Sequence, residues 1–417
     1  MEDIKVKMIQ AECGDCFLIT INSIKQINIL VDCGTKNTYI NFLKPILLEM
    51  NDKNKVLDYL ILTHMHEDHI GGALELFREN GSNKESKIIK INNIIFNGIK
   101  GLKIEHFEES ECEENDKIIY KSVISKGKAA MQNKELSHNI STKQEMLLSS
   151  YILKGEYKWN NGNPFNNGPI YVCDNDLPIL KIDNDTYLTF ISPNIENLKN
   201  LNKSWISYLK SIKKKIKVVD NKLTQDAYEA YMFLKSCSES EQLLKDISQY
   251  GLLEKDEIQR LTDIVIKQDN QKLENGSSIA FILTYKNKNL LFLGDAFSEV
   301  YYQNLLKWKS SGGSSYFDMI KVSHHGSKAN TSDEFLKEFD SAIYLISTDG
   351  KYDHPSIETI AKIINRECYK FTKCKTKRCI ILSNKTESIK CFDNESLKKN
   401  YNFLIQYLSN SYIDINC

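Results

Sequence analysis

The sequence predicts an α/β fold built as an αββα sandwich, in which two β-sheets face each other and helices cover their outer faces. Three observations support this prediction. Short β-rich segments dominate both ends of the chain, and helical segments alternate with them there. The middle of the chain is polar and then mainly helical, as expected for insertions between two β-rich halves.

The first half of the sandwich is predicted from the amino-terminal segments. Three β-rich runs, IKVKMIQ, CFLITI and INILVDCG, are split by Gly, Asp and Asn and predict an antiparallel meander. TYINFLKPILLEM has helical spacing, and the mostly apolar run LDYLILT predicts a strand buried on both faces. We expect Gly71 and Gly72 to keep a turn tight before the helix ALELFREN, which the strand KIIKINNIIFNG follows.

The second half is predicted from Ser277 onward. SSIAFILTYKNKNLLFLGDA predicts a β-hairpin. Further helices are expected near 297–309, near 332–339 and over SIETIAKII. Further strands are expected over YFDMIKVSHHGS, AIYLIST and, as the final strand, CIILS.

Two insertions are expected in a single domain that spans residues 1–417. The first covers residues 102–176, and the second, mainly helical, covers residues 195–270. Between them, LPILKIDNDTYLTFISPN predicts a strand pair around an Asn-Asp turn. The aromatic and apolar residues of the first insertion form either a lid or a packed helix, and packing is the favoured interpretation.

The composition excludes several classes of protein. Hydrophobic residues make up 41% and charged residues 26%, which is typical of a folded domain and not of a disordered chain. Fifty-five basic residues balance fifty-five acidic ones, so binding to nucleic acid would need a local basic patch. No leader and no apolar run of membrane-spanning length is evident, so we expect a cytoplasmic protein with eleven reduced cysteines and no membrane partner.

The stretch LILTHMHEDHIGG contains a cluster of side chains that can bind metal ions. It contains His64, His66, Asp68 and His69 directly after an apolar strand. His64 and His66 can face one metal ion while Asp68 and His69 face a second, and imidazole with carboxylate suits zinc, manganese or iron. The carboxyl end of a buried strand is also a common location for sites in α/β proteins. The pattern predicts a site for two divalent metal ions.

With this stretch in place, the chain resembles the metallo-β-lactamase-fold hydrolases. Within them it is similar to the branch typified by the hydrolase domain of the DNA-uptake competence protein and by a phosphorylcholine esterase. The matching motifs, in chain order, are Gly14-Asp15, Asp32-Cys33-Gly34, the histidine stretch, NGSSIAFILTY, Gly294-Asp295, His324-His325-Gly326-Ser327 and His354-Pro355.

The resemblance implies a role for each matching residue. Asp295 would bridge the two metals, and Asp32 and Asp15 would lie behind the ligands and orient the histidine loop. Asp32 could instead form an Asx turn at a strand end. Because neighbouring side chains on an extended chain point in opposite directions, we expect only one of His324 and His325 to bind metal.

Two further residues are candidates for contact with the substrate. His354 would bind substrate or act as a general acid, or it is merely the residue before a helix. Ser327 would bind substrate. Asp68 would also orient the attacking water.

One departure from the family pattern concerns the first metal. The wider superfamily has a histidine on the strand pair before the bridging aspartate, whereas TFISPN here has none, and Asn194 is the nearest polar residue. His106 and His138 lie in the first insertion and could fold back instead. The first site is therefore expected to be weak, or to be completed by water.

Two clusters of basic residues are candidates for binding phosphate. Lys213, Lys214, Lys215 and Lys217 form the first, and the second lies within 370–378. A solvated face is the plain interpretation, and a patch that follows the phosphates of a nucleic acid is the alternative.

The resulting hypothesis is a metal-dependent hydrolase in which a metal-bound hydroxide attacks the substrate. The resemblance and the lysines favour a phosphodiester, such as a nucleic acid, a nucleotide or a smaller compound. Members of this branch with large insertions also resemble components of prokaryotic anti-phage defence. The alternative is a metal-binding sensor or scaffold with little intrinsic activity, controlled by a protein partner bound through the insertions.

Overall fold

The computed structural model describes residues 4–98, 113–134, 148–173, 176–213, 216, 222–242, 251–268, 272–366, 377–408 and 412–416. Within these ranges the chain forms the α/β sandwich that the sequence predicts, with two large sheets face to face. None of the helices seen there combines the length and the apolar character that crossing a membrane requires.

The first sheet has six described strands in the order β16-β1-β2-β3-β4-β5. The predicted antiparallel meander is confirmed for the first three strands, and the next two continue the sheet in parallel. The strands are β1 (Ile4–Ile9), β2 (Phe17–Ile21), β3 (Ile27–Val31), β4 (Leu57–Leu62), β5 (Ile91–Phe96) and β16 (Tyr412–Asn416).

The second sheet has eight described strands in the order β15-β14-β13-β11-β9-β8-β7-β6. Its first five strands in that order run parallel, and the hairpins are antiparallel. They are β6 (Ile179–Lys181), β7 (Thr186–Ser192), β8 (Ala280–Tyr285), β9 (Lys288–Phe292), β11 (Met319–Lys321), β13 (Ile343–Ile346), β14 (Arg378–Leu382) and β15 (Phe403–Tyr407). Two short strands, β10 (Tyr316–Phe317) and β12 (Asp340–Ser341), pair beside it.

Three hydrophobic clusters separate the layers. The central cluster joins the facing surfaces of the sheets, where Phe17 of β2 meets Phe292 of β9 with ring centroids 5.9 Å apart. The other two lie between each sheet and its helices. The helices are α1 (Lys36–Thr38), α2 (Lys44–Asp52), α3 (Glu67–Asn80), α4 (Glu114–Lys134), α5 (Leu148–Lys154), α6 (Ile195–Ile212), α7 (Lys222–Gln242), α8 (Lys255–Asp263), α9 (Leu273–Gly276), α10 (Ser298–Ser310), α11 (Asp333–Glu338), α12 (Ile357–Ile364), α13 (Glu387–Lys390) and α14 (Glu395–Asn400).

Helices of the two predicted insertions pack on each other. Helix α4 lies along α7, and Gly127 permits this because a Cβ there would be 2.6 Å from the Cβ of Ala230. Their buried residues, Tyr120 and Tyr228 among them, belong to the same cluster as the helical layer of the first sheet. The insertions therefore extend that layer, and the single-domain boundary stays a prediction.

Two local predictions are wrong. Helix α3 begins at Glu67, so Gly71 and Gly72 lie inside it and do not form a turn. A Cβ at Gly72 would be 2.2 Å from the carbonyl oxygen of Cys33, so these glycines serve close packing of the helix on the strand end. The strand CIILS is also not the last, because β15 extends the second sheet and β16 pairs with β1 in the first.

Candidate metal centre

The histidine loop follows β4 and leads directly into α3. His64 lies in the connection, His66 is the residue before the helix, and Asp68 and His69 occupy the first turn. Gly14 lies against this turn, since a Cβ at that position would be 1.6 Å from the carbonyl oxygen of Asp68. Only glycine permits this approach, which brings the Gly14-Asp15 motif beneath the histidine loop.

Asp32 fixes the ring of His69 from behind. Its Oδ2 lies 2.8 Å from His69 Nδ1 and accepts a hydrogen bond from the hydroxyl of Thr63 at 2.7 Å. Its Oδ1 accepts from the backbone N–H of Thr63 at 2.8 Å. Burial raises the pKa of Asp32, although His69 opposes the rise. These contacts leave His69 Nε2 directed away from Asp32, as expected for an imidazole that binds a metal.

The carboxylate of Asp295 is the centre of the cluster. Its Oδ2 lies 3.7 Å from His64 Nε2, 3.6 Å from His69 Nε2, 3.8 Å from His324 Nε2 and 3.7 Å from His325 Nε2. These distances are too long for hydrogen bonds. Gly294, with φ +50°, makes the turn that brings Asp295 here from the end of β9.

His324 and His325 both face this carboxylate, which corrects the expectation of an extended chain with opposed side chains. Their backbones are left-handed, with φ of 47° and 53°, so successive rings turn to the same side. Each Nδ1 has an acceptor, Asn330 Oδ1 at 2.9 Å for His324 and the Ser347 carbonyl at 2.8 Å for His325. Each Nε2 is thereby left for the centre.

The donor set fits metal ions. His64, His66, His69 and His325 each have a buried Nε2 atom without a hydrogen-bond partner. Such groups are costly to bury unless a ligand satisfies them. Among the described residues, three sets have ligand atoms within 4.8 Å of one another: His64 with His69 and Asp295, Asp68 with His69 and His325, and Asp15 with Asp32 and His69. The first two contain His69 Nε2 and face the centre, whereas in the third the carboxylates face His69 Nδ1.

The electrostatics of the centre favour ionised carboxylates and a neutral His64. Burial lowers the pKa of His64 well below its usual value, and His69 and His66 lower it further, so this imidazole is neutral. Burial opposes ionisation of Asp295, but His69, His325 and His324 outweigh it and hold its pKa well below the usual range. For Asp68, His69 and His325 likewise outweigh burial and lower the pKa. Burial opposes the charged forms of His69 and His325, but Asp295 and Asp68 outweigh it and raise both pKa values, so a metal ion would displace a proton from each ring.

His354 stands at the edge of the centre. Its ring centroid is 5.1 Å from that of His324, and its buried Nδ1 has no hydrogen-bond partner. Burial and the two neighbouring imidazoles lower its pKa well below the usual value, which makes it neutral. A neutral imidazole can bind a substrate oxygen, whereas general acid catalysis requires a proton to be loaded first.

Other predicted residues have different surroundings. The hydroxyl of buried Ser327 caps a short turn by accepting from Ala329 N at 3.3 Å. Asn194 caps α6, accepting from Asn197 N at 2.8 Å, so its oxygen serves the helix and not a metal. Lys213 forms an ion pair with buried Asp116 at 2.6 Å, so its positive charge is already compensated within the protein. The predictions for His106, His138, Lys214, Lys215, Lys217 and the cluster at 370–376 lie outside the described residues.

Sequence reasoning missed two residues of the centre. Ser278 accepts from the backbone N–H of Asp295 at 3.0 Å and lies 3.5 Å from His64 Nδ1. Lys321 is buried below the centre and pairs with Asp15. The signal for Lys321 was present, since it is a charged residue inside the apolar strand MIKV, two residues after Met319.

The comparisons with known proteins agree with this geometry. Residues 14–85 match the family model described as the metallo-beta-lactamase superfamily, a segment that contains Asp15, Asp32 and the whole histidine loop. Proteins of this superfamily are mostly hydrolases, and the fold implies the use of divalent metal ions. No curated protein matches the chain. The fold, the matched segment and the His/Asp clusters therefore indicate a metal-dependent hydrolase.

Proposed function

We propose that this protein is a binuclear metal-dependent phosphodiesterase. The observation that carries the proposal is the convergence of four imidazole Nε2 atoms on one oxygen of Asp295 at 3.6–3.8 Å. A carboxylate oxygen surrounded by imidazoles beyond hydrogen-bond distance has the chemistry of a bridging ligand. Two dications close together need such shared negative charge.

The ligands divide between two ions. His64, His66 and His324 would hold the first, together with Asp295. The ring centroids of His66 and His64 are 4.6 Å apart, close enough for both to reach one ion. Those of His64 and His69 are 4.2 Å apart, so the division between two ions rests on the spacing of the loop and not on ring distance. In this proposal His324 would supply the imidazole that the strand before Asp295 lacks, and the first site would need neither Asn194 nor the insertion histidines.

The second ion would be held by Asp68, His69 and His325, again with Asp295. Asp68 Oδ2 lies 3.9 Å from His69 Nε2 and 3.6 Å from His325 Nε2. Histidine and carboxylate ligands of this kind suit Zn²⁺ or Mn²⁺. When bound, the ions supply an acidified water and positive charge for the developing negative charge of the substrate.

The chain's own residues prepare the reaction around the ions. Of the two carboxylates proposed as ligands, Asp68 is the more exposed, with a side chain that is 26% exposed against 2% for Asp295. Asp68 can therefore accept a hydrogen bond from the attacking water. Neutral His354 lies beside His324 and would bind a substrate oxygen. The preference for a phosphodiester rests on the series of motifs from Gly14-Asp15 to His354-Pro355.

The proposal is tested by cleavage of bis(p-nitrophenyl) phosphate after removal of metals, with Mn²⁺, Zn²⁺ or Mg²⁺ added back. We expect turnover that depends on Mn²⁺ or Zn²⁺, and loss of turnover in His324→Ala. His106→Ala and His138→Ala are matched histidine controls and should keep activity.

Each contrary result has a distinct meaning. Loss of activity in a control variant would assign the first ion to the insertion instead of His324. Metal binding without cleavage of this or any other phosphodiester would reject the enzyme and favour the sensor or scaffold alternative.

A further inference from the structure

Lys321 is a buried cation directly below the proposed metal centre. The residue is 1% exposed and ends β11, three residues before His324. Strand β11 lies parallel to β9, with Lys321 in register with Phe292, so the lysine stands beside the strand end that carries Gly294 and Asp295. A lysine is almost never fully buried without a partner.

Three polar groups of the described residues lie near the ammonium group of Lys321. It forms an ion pair with the carboxylate of Asp15 and donates a hydrogen bond to the carbonyl of Gly294 at 3.0 Å. It also lies 4.0 Å from Asp295 Oδ1. The Gly294 carbonyl accepts from the backbone N–H of His324 at 2.9 Å as well. One carbonyl thus links the lysine to both the proposed bridging residue, Asp295, and a proposed metal ligand, His324.

The two oxygens of Asp295 face different partners. Oδ2 faces the four imidazoles, while buried Oδ1 has no hydrogen-bond partner and has Lys321 as a nearby cation. Attraction between the ammonium group and Oδ1 favours the orientation that presents Oδ2 to the metal ions. The left-handed turn at Gly294, which sets the position of Asp295, is held by the same lysine.

We propose that Lys321 is a positioning residue for the metal centre: it holds Asp295 with Oδ2 toward the two ions, and Asp15 holds Lys321 in place. This inference rests on the proposed binuclear function. Two other roles predict different results. Lys321 can act through its charge alone, which would repel dications, or the Lys321–Asp15 pair can serve only the stability of the fold.

A set of variants separates these roles through metal affinity, measured for Mn²⁺ by competition with a chelating dye. Lys321→Met removes a positive charge, so a pure charge effect tightens Mn²⁺ binding, whereas loss of positioning weakens it. Asp15→Asn with Lys321→Met removes one charge of each sign. The net charge is then unchanged, so weaker binding cannot come from charge. Because Asp15 also lies 3.6 Å from His325 Nδ1 and 3.9 Å from His69 Nδ1, Asp15→Asn alone is measured beside the double variant to separate its own effect.

We expect Lys321→Met and the double variant to bind Mn²⁺ at least ~10-fold more weakly than the unmodified protein, a loss on the scale seen for residues that orient metal ligands. The electron paramagnetic resonance signal of a spin-coupled Mn²⁺ pair should also be lost or altered, because Asp295 would no longer bridge the ions in its original position. Stability alone would not change that signal.

The matched control is Asp333→Asn with Lys362→Met. Lys362 is also buried, pairs with Asp333 at 2.6 Å and donates to the carbonyl of Ile264 at 2.8 Å, but it belongs to α12 and its partner Asp333 to α11. This pair has the same types of partner as Lys321 without a metal ligand among them. The control should lower the thermal stability and leave Mn²⁺ affinity unchanged within about 2-fold.

If Lys321→Met and the double variant do not fold, Lys321→Arg replaces them. This variant keeps the charge but moves the hydrogen-bond donors. A positioning role therefore predicts weaker Mn²⁺ binding, whereas a pure charge effect predicts unchanged Mn²⁺ binding. Unchanged Mn²⁺ affinity in a folded Lys321 variant would overturn the inference, as would tighter binding by Lys321→Met. Failure of the unmodified protein to bind Mn²⁺ or Zn²⁺ would instead reject the proposed function.

Discussion

Two buried groups of titratable residues, one around Asp340 and one around Asp295, differ in how their polar atoms are satisfied. Around Asp340, the carboxylate binds Arg378 at 2.9 and 3.1 Å and accepts from the hydroxyl of Tyr344 at 2.8 Å. Arg378 also donates to the carbonyls of Ile363 and Arg366. Around Asp295, the nearest side-chain groups are imidazoles at 3.6–3.8 Å, and several of their nitrogens have no hydrogen-bond partner.

The difference shows how a stabilising ion pair is told from a ligand site. The group around Asp340 completes nearly all its hydrogen bonds within the protein, with Arg378 Nε as the described exception. The group around Asp295 aligns its atoms toward a common point and leaves them without partners there. Because unsatisfied buried polar groups are unfavourable in free energy, such an arrangement indicates that a bound ligand satisfies them.

The largest expected effect comes from Asp295→Asn. This change removes the negative charge and almost no volume, so hydrolysis should fall by at least ~10²-fold, the scale of losing a main electrostatic stabiliser. Circular dichroism should show an intact fold. Turnover close to that of the unmodified protein would mean that Asp295 is not at the reacting centre.

His66→Ala combined with Asp68→Ala breaks the centre on its other side. The double variant removes one proposed ligand of each ion, and elemental analysis of protein purified without chelator should show that most of the metal is lost. A variant that retains its full metal content would refute the ligand assignment.

Arg378→Met tests the other half of the comparison. Arg378 and Asp340 are each 1% exposed, and removal of one partner of a buried ion pair costs about 3–5 kcal/mol. Urea unfolding should show this loss, while metal content remains as in the unmodified protein. Loss of metal with unchanged stability would reverse the roles that we assign to the two groups.

A third buried carboxylate, Glu229 in α7, gives a pH-dependent effect. Burial raises the pKa of Glu229 to about 8, against the hydrogen bond that it accepts from Ser149 N. Above the unfolded-state pKa near 4.5 the unfolded chain ionises while the folded chain keeps its proton, so the stability from this group falls until the pH passes the folded-state pKa.

Glu229→Gln, which cannot ionise, should therefore flatten the decline of the melting temperature between acidic and mildly alkaline pH. Thermal melts across that range measure the effect, and Glu254→Gln is an exposed-residue control. A decline that is the same in both variants would assign the pH dependence to other groups.

The smallest expected effect concerns the basic cluster of the second insertion. If the substrate is a nucleic acid, Lys214→Gln, Lys215→Gln and Lys217→Gln together should weaken binding to DNA or RNA. Each lost phosphate contact should flatten the log–log salt dependence by about one unit. Lys213→Gln serves as the control, because Lys213 is already paired with Asp116. An unchanged slope would mean that the lysines form a solvated face, and it would favour a small phosphodiester.

The sequence by itself determined the class of fold and the histidine loop. The loop is contiguous, its candidate ligands follow a strand within a few residues, and local spacing fixes which of them share a turn. Periodicity likewise placed most strands and helices, because burial of one face imposes a pattern on neighbouring residues. The boundary of α3 was missed, since glycines inside a helix resemble a turn unless the packing against Cys33 is known.

Only the tertiary structure decided how the centre is completed. Left-handed backbone at His324 and His325 turned both rings toward Asp295, whereas an extended chain would have separated them. The pair between Asp15 and Lys321 joins residues distant in sequence, as does the pairing of β16 with β1. Such contacts follow from the order and register of strands across two sheets, which no local pattern in the sequence encodes.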